Sequence, residues 1–322
     1  MNLRIMQTVI GLTCTVVFLT LALYSVPLGQ VGSAIAGADP VWIGAALLAY
    51  AANLALRTWR WKVILEPLTT ISYRDLAKGL LVGYGLNTIM PARLGEIFRV
   101  EFLKRNHGLA RVWVLSSVVI ERVFDGLAVV GLLGIGLLFS AAWVRPGEIL
   151  IKLLVISSVL FATLLLAAIC LSDAAFIRLF ARVPWLSSHL RMVQRGLAIV
   201  RTRRIVAVAF LTLIVYVPDT LTLWLVVKAV GVALGPFDTM VLTGAASLST
   251  LLPSGPAFAG TMQFAYALAI EFAGGSRITG IAAATLAQLC ILLPTAVIGT
   301  AIFARNSGSA LFALLLNRKV ET

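Results

Sequence analysis

The run Ile120-Glu121-Arg122-Val123-Phe124-Asp125 places three charges inside an apolar stretch. In lipid each such charge costs a few kcal/mol or more, so it faces a bundle interior or an aqueous cavity and seeks partners. Glu121 and Asp125 stand at i, i+4 and share one helix face, while Arg122 points about 100° away. Two readings follow. One is a substrate or coupling-ion site. The other is a structural ion pair near the membrane interface, since Arg111 lies only about 15 Å down the same helix.

A second polar set is Asn87, Pro91, Arg93, Glu96 and Arg99. Arg93 and Glu96 fall just past a proline-containing break, on the first turns of a helix. A helix N-terminus favours anions, and arginine grips phosphate bidentately. Arg93 is therefore the candidate contact for a lipid phosphate; the alternative is an interfacial arginine that merely follows the positive-inside rule. Glu96 and Arg99, at i, i+3, also fit a local pair. Asp219 sits beside Pro218 in another apolar run, where a kink can open. Gln263 and Gln288 fit polar packing between helices.

The elements that must position these residues follow from composition. The chain has 322 residues, 60% hydrophobic and 12% charged, with a mean hydropathy of +1.01. Soluble domains carry about 25% charged residues. The solvent of this chain is largely lipid, and the fold class is an all-α polytopic integral membrane protein. The net charge of +13 does not indicate nucleic acid, because the basic residues lie in short loops and no groove-binding motif is present. Cys14, Cys170 and Cys290 all lie inside apolar runs, odd in number and without metal spacing, so neither disulfides nor zinc organise the chain. No phosphate-binding Gly-Lys-Ser/Thr loop is present, so ATP is not a drive. No metal or other cofactor is expected.

Spans need roughly 20 apolar residues. About six full spans are expected: Val9–Leu28, Val41–Leu65, Val112–Ala142, Ile149–Leu171, Ile205–Val230 and Ile278–Ala304. The first is too long for a signal peptide, and Ala34-Ile35-Ala36 lies well beyond it. With Arg4 inside, most of the 26 Lys and Arg, Arg57 and Arg60 included, fall on one side. That places both termini in the cytoplasm and the chain in the inner (cytoplasmic) membrane. The segment 173–204 mixes apolar residues with seven arginines. It reads as a cytoplasmic interfacial helix on anionic headgroups, or as a loop that only orients the protein.

Two further stretches are too short to span and return. Leu76–Arg99 is interrupted by Gly83, Gly85, Asn87 and Pro91, and Thr239–Glu271 by Pro253-Ser254-Gly255-Pro256. Both read as re-entrant hairpins, at about 76–99 and 239–271, within a single transmembrane domain spanning 1–322. A proline-kinked helix, or two spans with a tight turn, is the alternative for the second. Broken hairpins in corresponding positions, entering from opposite faces, point to an inverted repeat with substrate near the midplane.

These motifs resemble a known family. Gly85-Leu86-Asn87, Pro91-Ala92-Arg93-Leu94-Gly95-Glu96 with Arg99, and Glu121-Arg122-Val123-Phe124-Asp125 look like the flippase-like transmembrane domain of lysylphosphatidylglycerol synthases, which includes a hopanoid-associated branch. Leu252-Pro253-Ser254-Gly255-Pro256 with Ala259-Gly260 resembles its second hallmark, which more often reads Pro-Gly-Gly-Leu-Gly followed by a glutamate; here Gln263 stands near that position. The resemblance implies lipid translocation. It also implies that the aminoacyl-transfer domain is missing, since the chain ends about 18 residues after its last expected span. The expected translocation site comprises Asn87, Pro91, Arg93, Glu96, Arg99, Glu121, Arg122, Asp125, Asp219, Pro253, Gly255 and Gln263. Expected partners are membrane lipids, anionic or phosphate-bearing, with a second copy or a lipid-pathway enzyme as further candidates. The competing functions are an accessory subunit of a lipid or hopanoid pathway and a membrane-embedded glycosyl- or lipid-transferase.

Overall fold

The computed structural model describes residues 13, 15–24, 26–90, 94–140, 152, 155–164, 166, 202–252 and 254–316, with side chains to residue 306. Every regular element among them is helical. Four helices are long and apolar enough to cross a bilayer: α3 (Pro40–Leu65), α6 (Arg111–Phe139), α8 (Arg204–Ala229) and the run Arg277–Asn306. The expected first span, Val9–Leu28, enters the described residues as a helix followed at its end by a sharp bend into a second. Helix α1 (Thr15–Leu23) meets α2 (Leu28–Ala36) at 86°. Pro27 stands immediately before α2, and its missing N–H and ring end a helix there. The expected span Ile149–Leu171 enters the described residues mainly as the short apolar helix α7 (Val155–Leu164). The interfacial segment expected at 173–204 lies outside them except at its end.

Two pairs of shorter helices complete the bundle. Helix α4 (Tyr73–Ile89) packs against α5 (Gly95–His107). Helix α9 (Pro236–Ser249) packs against α10 (Thr261–Phe272) across a single 3-10 turn, Pro256–Phe258. None of the four exceeds 17 residues, about 25 Å at 1.5 Å per residue. The last run divides into α11 (Arg277–Ala287), a π turn (Gln288–Leu292) and α12 (Leu293–Leu316). Pro294 has no N–H for the carbonyl four residues back, and the extra residue of the π turn accommodates it.

The two halves interlock. Helices α3 and α8 lie antiparallel along their length: Asp39 N–H donates to the Ala229 carbonyl at one end (2.9 Å), and Arg204 pairs with Glu66 at the other (3.2 Å). Helix α4 packs on α12, the second half of the run that follows the second hairpin, while α9 packs on α6, the helix that follows the first. Glycines allow both approaches. A Cβ on Gly85 would lie 2.9 Å from the Gly299 Cα, and one on Gly244 2.9 Å from the Leu133 Cβ. Small residues at such crossings are how helices approach closely in lipid. The first hairpin leaves and returns at the α3 C-terminal end, where Arg111 binds Glu101 (2.8 Å). The second begins at the other end, where Ser140 at the close of α6 hydrogen-bonds Asp238.

Candidate functional site

An ion-pair network fills the centre of the bundle, where α3, α5, α6 and α8 meet. Among the described residues it contains Arg57, Arg60, Arg99 and Arg122 with Glu96, Glu121, Asp125 and Asp219. Glu121 and Asp125 share a face, as the i, i+4 spacing requires, and turn it toward α3. Arg99 donates to Glu121 at 2.9 Å and Arg60 to Asp125 at 2.6 Å. The buried Arg60 also reaches the Thr212 hydroxyl at 3.0 Å. Arg57 donates to Asn53 through Nε (2.7 Å), and Asn53 in turn donates to the Val215 carbonyl of α8 (2.8 Å). The guanidinium of Arg57 then divides between Asp125 (3.4 Å) and Asp219 (3.3 Å). Buried charge pairs persist best when each ion is matched and hydrogen-bonded; here the signs alternate, while several guanidinium nitrogens of Arg60, Arg99 and Arg122 have no hydrogen-bond partner among the described residues.

The expected site residues sort into three groups. Glu96, Arg99, Glu121, Arg122, Asp125 and Asp219 come together in the network, with Asn87 at the cavity beside it. Gly255 and Gln263 do not enter it. The Gly255 N–H donates to Thr15 of α1 (2.6 Å). Gln263 accepts from the Gly260 N–H (2.8 Å) and donates to Gln288 (2.6 Å), and Gln288 donates to the Ala257 carbonyl (3.0 Å). These glutamines hold the hairpin turn, in which Ala257 and Phe258 both adopt left-handed backbone (φ 55° and 57°). Pro91, Arg93 and Pro253 lie outside the described residues.

Arg57 and Arg60 are not among the expected site residues. In the sequence they count toward the basic flank of α3, yet both are buried and paired inside the bundle. They lie only about 12 and 8 Å from the end of α3, next to Lys62, which makes them resemble interfacial charges. The available signal is spacing: Asn53, Arg57 and Arg60 recur at i, i+4, i+7, one helical stripe.

Space adjoins the network on two sides. A cavity of about 210 Å³ is bounded by Arg57, Arg122, Glu96 and Asp219, by Asn87 of the first hairpin, and by Thr250 and Phe258 of the second. Both hairpins thus contribute to one wall. A larger cavity, about 490 Å³, shares Arg57, Arg122 and Thr250 with it and continues between apolar side chains including Val129, Leu160, Leu164 and Leu248. The two cavities meet at the guanidinium of Arg122, 30% exposed. Charged groups at one end and aliphatic walls at the other fit an amphiphile.

Residues 8–299 match the family model described as the lysylphosphatidylglycerol synthase TM region. A 143-residue stretch is 32% identical to a protein named glycosyltransferase AglD from Haloferax volcanii, over 43% of this chain and 22% of that protein. The chain therefore spans less than a quarter of the length of that relative.

Proposed function

Because the chain belongs to the lysylphosphatidylglycerol synthase transmembrane-region family, we propose that it moves a phosphate-bearing lipid between the leaflets of a membrane. The carrying observation is that two cavities share Arg57, Arg122 and Thr250, and the second continues from these groups along Val129, Leu160, Leu164 and Leu248. A headgroup phosphate sits between Arg57 and Arg122. An acyl or prenyl chain lies along Val129, Leu160, Leu164 and Leu248. In this reading the two hairpins are re-entrant from opposite faces of the inner membrane, as an inverted repeat, and both termini are cytoplasmic.

The test is leaflet exchange of fluorescent phospholipids in proteoliposomes, read by dithionite quenching. Fast exchange by the wild type, lost in Arg122→Ala that elutes and melts as a folded protein, supports the proposal. No exchange across a panel of headgroups, polyprenyl phosphates included, sinks it.

A second reading is membrane-embedded glycosyl transfer, favoured by the name of the Haloferax volcanii relative. Glu96 and Asp219, both at the first cavity, would then supply the base. Transfer needs no second compartment. Turnover of a sugar donor by detergent-solubilised protein would favour it over translocation.

A further inference from the structure

We propose that Asp219 is a proton-coupling site, and that its proton enters the network together with the lipid phosphate; this rests on the translocase reading above. Among the described residues the network balances four arginines against four carboxylates. A phosphate entering between Arg57 and Arg122 leaves one negative charge uncompensated away from water. Such a charge is costly inside the bundle. One proton taken up by a carboxylate restores the balance.

The pairing distances single out the carboxylate. Glu121 lies within 2.9–3.4 Å of Arg99, Arg122 and Arg60. Asp125 is held by Arg60 (2.6 Å), Arg57 (3.4 Å) and Arg122 (3.6 Å). Glu96 lies 3.5 Å from Arg122 and 3.7 Å from Arg99. Among the described residues Asp219 is ion-paired with Arg57 alone, at 3.3 Å, and at 23% its side chain is the most exposed of the four acids. It gives up the fewest ion pairs on neutralisation, and Arg57 still keeps Asp125.

A route for the proton lies beside it. Asp219 lines a third cavity of about 140 Å³, which Tyr266 also lines. Tyr266 is fully buried, and its hydroxyl has no hydrogen-bond partner among the described residues. A buried hydroxyl left unpaired is costly, and a space of this size with two polar groups in its wall holds water. The ionisable groups around Asp219 are Arg57 and Tyr50 from α3, Tyr84 from α4, Glu96 from α5, Arg122 and Asp125 from α6, Tyr216 from α8 itself and Tyr266 from α10, with Arg60 behind Asp125. Helices α9 and α11 also pack on α8, and they bring no charged side chain to this cavity.

The step is a simple protonation. A proton bonds to the Asp219 carboxylate oxygen, the ion pair with Arg57 breaks, and Arg57 turns its freed guanidinium edge to the phosphate. Release of the phosphate reverses the order. By linkage, phosphate binding strengthens proton binding by the same factor as the proton strengthens phosphate binding. A proton gradient then drives the lipid without ATP.

The experiment titrates the purified full chain in detergent with dioctanoyl phosphatidylglycerol, a probe with one non-titrating phosphate charge, in weak buffer with a pH indicator. The wild type takes up about one proton per lipid bound. Asp219→Asn takes up none and binds the probe more tightly at neutral pH, because Arg57 is already free. Asp219→Glu restores the uptake and controls for folding. Binding by the wild type without proton uptake overturns the coupling and leaves the translocase standing. Uptake that persists in a folded Asp219→Asn also overturns it. Absence of binding overturns the headgroup site and the coupling together.

Discussion

Arg99 lies flat over Trp61, its Cζ 3.4 Å from the ring centroid, while its Nη2 donates to Glu121 at 2.9 Å. Trp61 is fully buried and donates through Nε1 to Ser117 (3.0 Å). One guanidinium thereby ties α5 to α3 and α6 by stacking and by charge. Lysine offers neither the plane nor the fork. Removing one partner of a buried pair costs about 3–5 kcal/mol, because the other charge stays behind. Glu121→Gln and Arg99→Lys are both expected to lower the thermal midpoint in detergent sharply. The double variant Arg99→Gln/Glu121→Gln should lose less than the sum of Arg99→Gln and Glu121→Gln. Additive losses would show that the two side chains act separately.

Close helix approach makes a contrasting prediction. A Cβ on Gly95 would lie 2.1 Å from the Gly83 carbonyl oxygen, and one on Gly299 2.2 Å from that of Leu81. Backbone atoms cannot yield as a flexible side chain does, so Gly95→Ala and Gly299→Ala must push α4 away from α5 or α12. At Gly131, inside α6, an added methyl would meet nothing within 4 Å; there alanine should be neutral or add up to about 1 kcal/mol from helix propensity. Folded yield by size-exclusion chromatography separates the cases. Equal yields for all three would mean that the crossings are loose enough to admit a methyl group.

The contrast between Glu121 and Arg57 explains what the sequence could reveal. Glu121 stands in the middle of an apolar run, where a charge has no cheap explanation, so its burial is legible without a structure. Arg57 and Arg60 stand near a helix end beside Lys62, where positive charge is expected anyway. Only their partners, more than 60 residues away in sequence, show that they are internal. Gln263 carries two readings in the sequence, polar helix packing and a site contact, and the structure shows the first. Its place near a hallmark acid suggests a substrate contact, but its side chain caps a turn with Gln288 and the Gly260 N–H. The hairpins are visible through their Gly and Pro interruptions. Their contact across one cavity depends on the long-range packing of α4 on the 3-10 turn, which no local pattern encodes.

The clamp between α5 and α6 should be acid-sensitive. The hydrogen bond from Arg111 holds the Glu101 carboxyl below its ordinary value of 4.5, with Arg105 adding to it. A carboxyl depressed in the folded state contributes stability above its unfolded pKa and loses it as pH falls through the folded one. The wild type should therefore melt above Glu101→Gln at neutral pH, and the gap should start to close below about pH 4.5. Since the pair is partly exposed, the gap is expected to be small, under about 1 kcal/mol, and reduced by salt. A gap independent of pH would assign the effect of the substitution to packing instead.

Arg122 separates stability from transport. It lines both cavities beside the network and reaches Glu96, Glu121 and Asp125 at 3.1–3.6 Å. Glu121 and Asp125 each keep two other arginines when it is removed, and Glu96 keeps Arg99, so Arg122→Ala leaves no acid among these without a counter-charge. Its stability loss should stay below that of Arg99→Ala, whose guanidinium is sealed against Trp61. Leaflet exchange should instead fall at least tenfold, the loss of one charge-assisted contact to phosphate at about 1.4 kcal/mol per decade. Leu164→Trp, in the aliphatic wall of the second cavity, should also slow exchange, by filling the space meant for a lipid chain while leaving every charge in place. If Leu164→Trp transports as the wild type does and Arg122→Ala does not, the headgroup enters the first cavity while its chain stays in the bilayer.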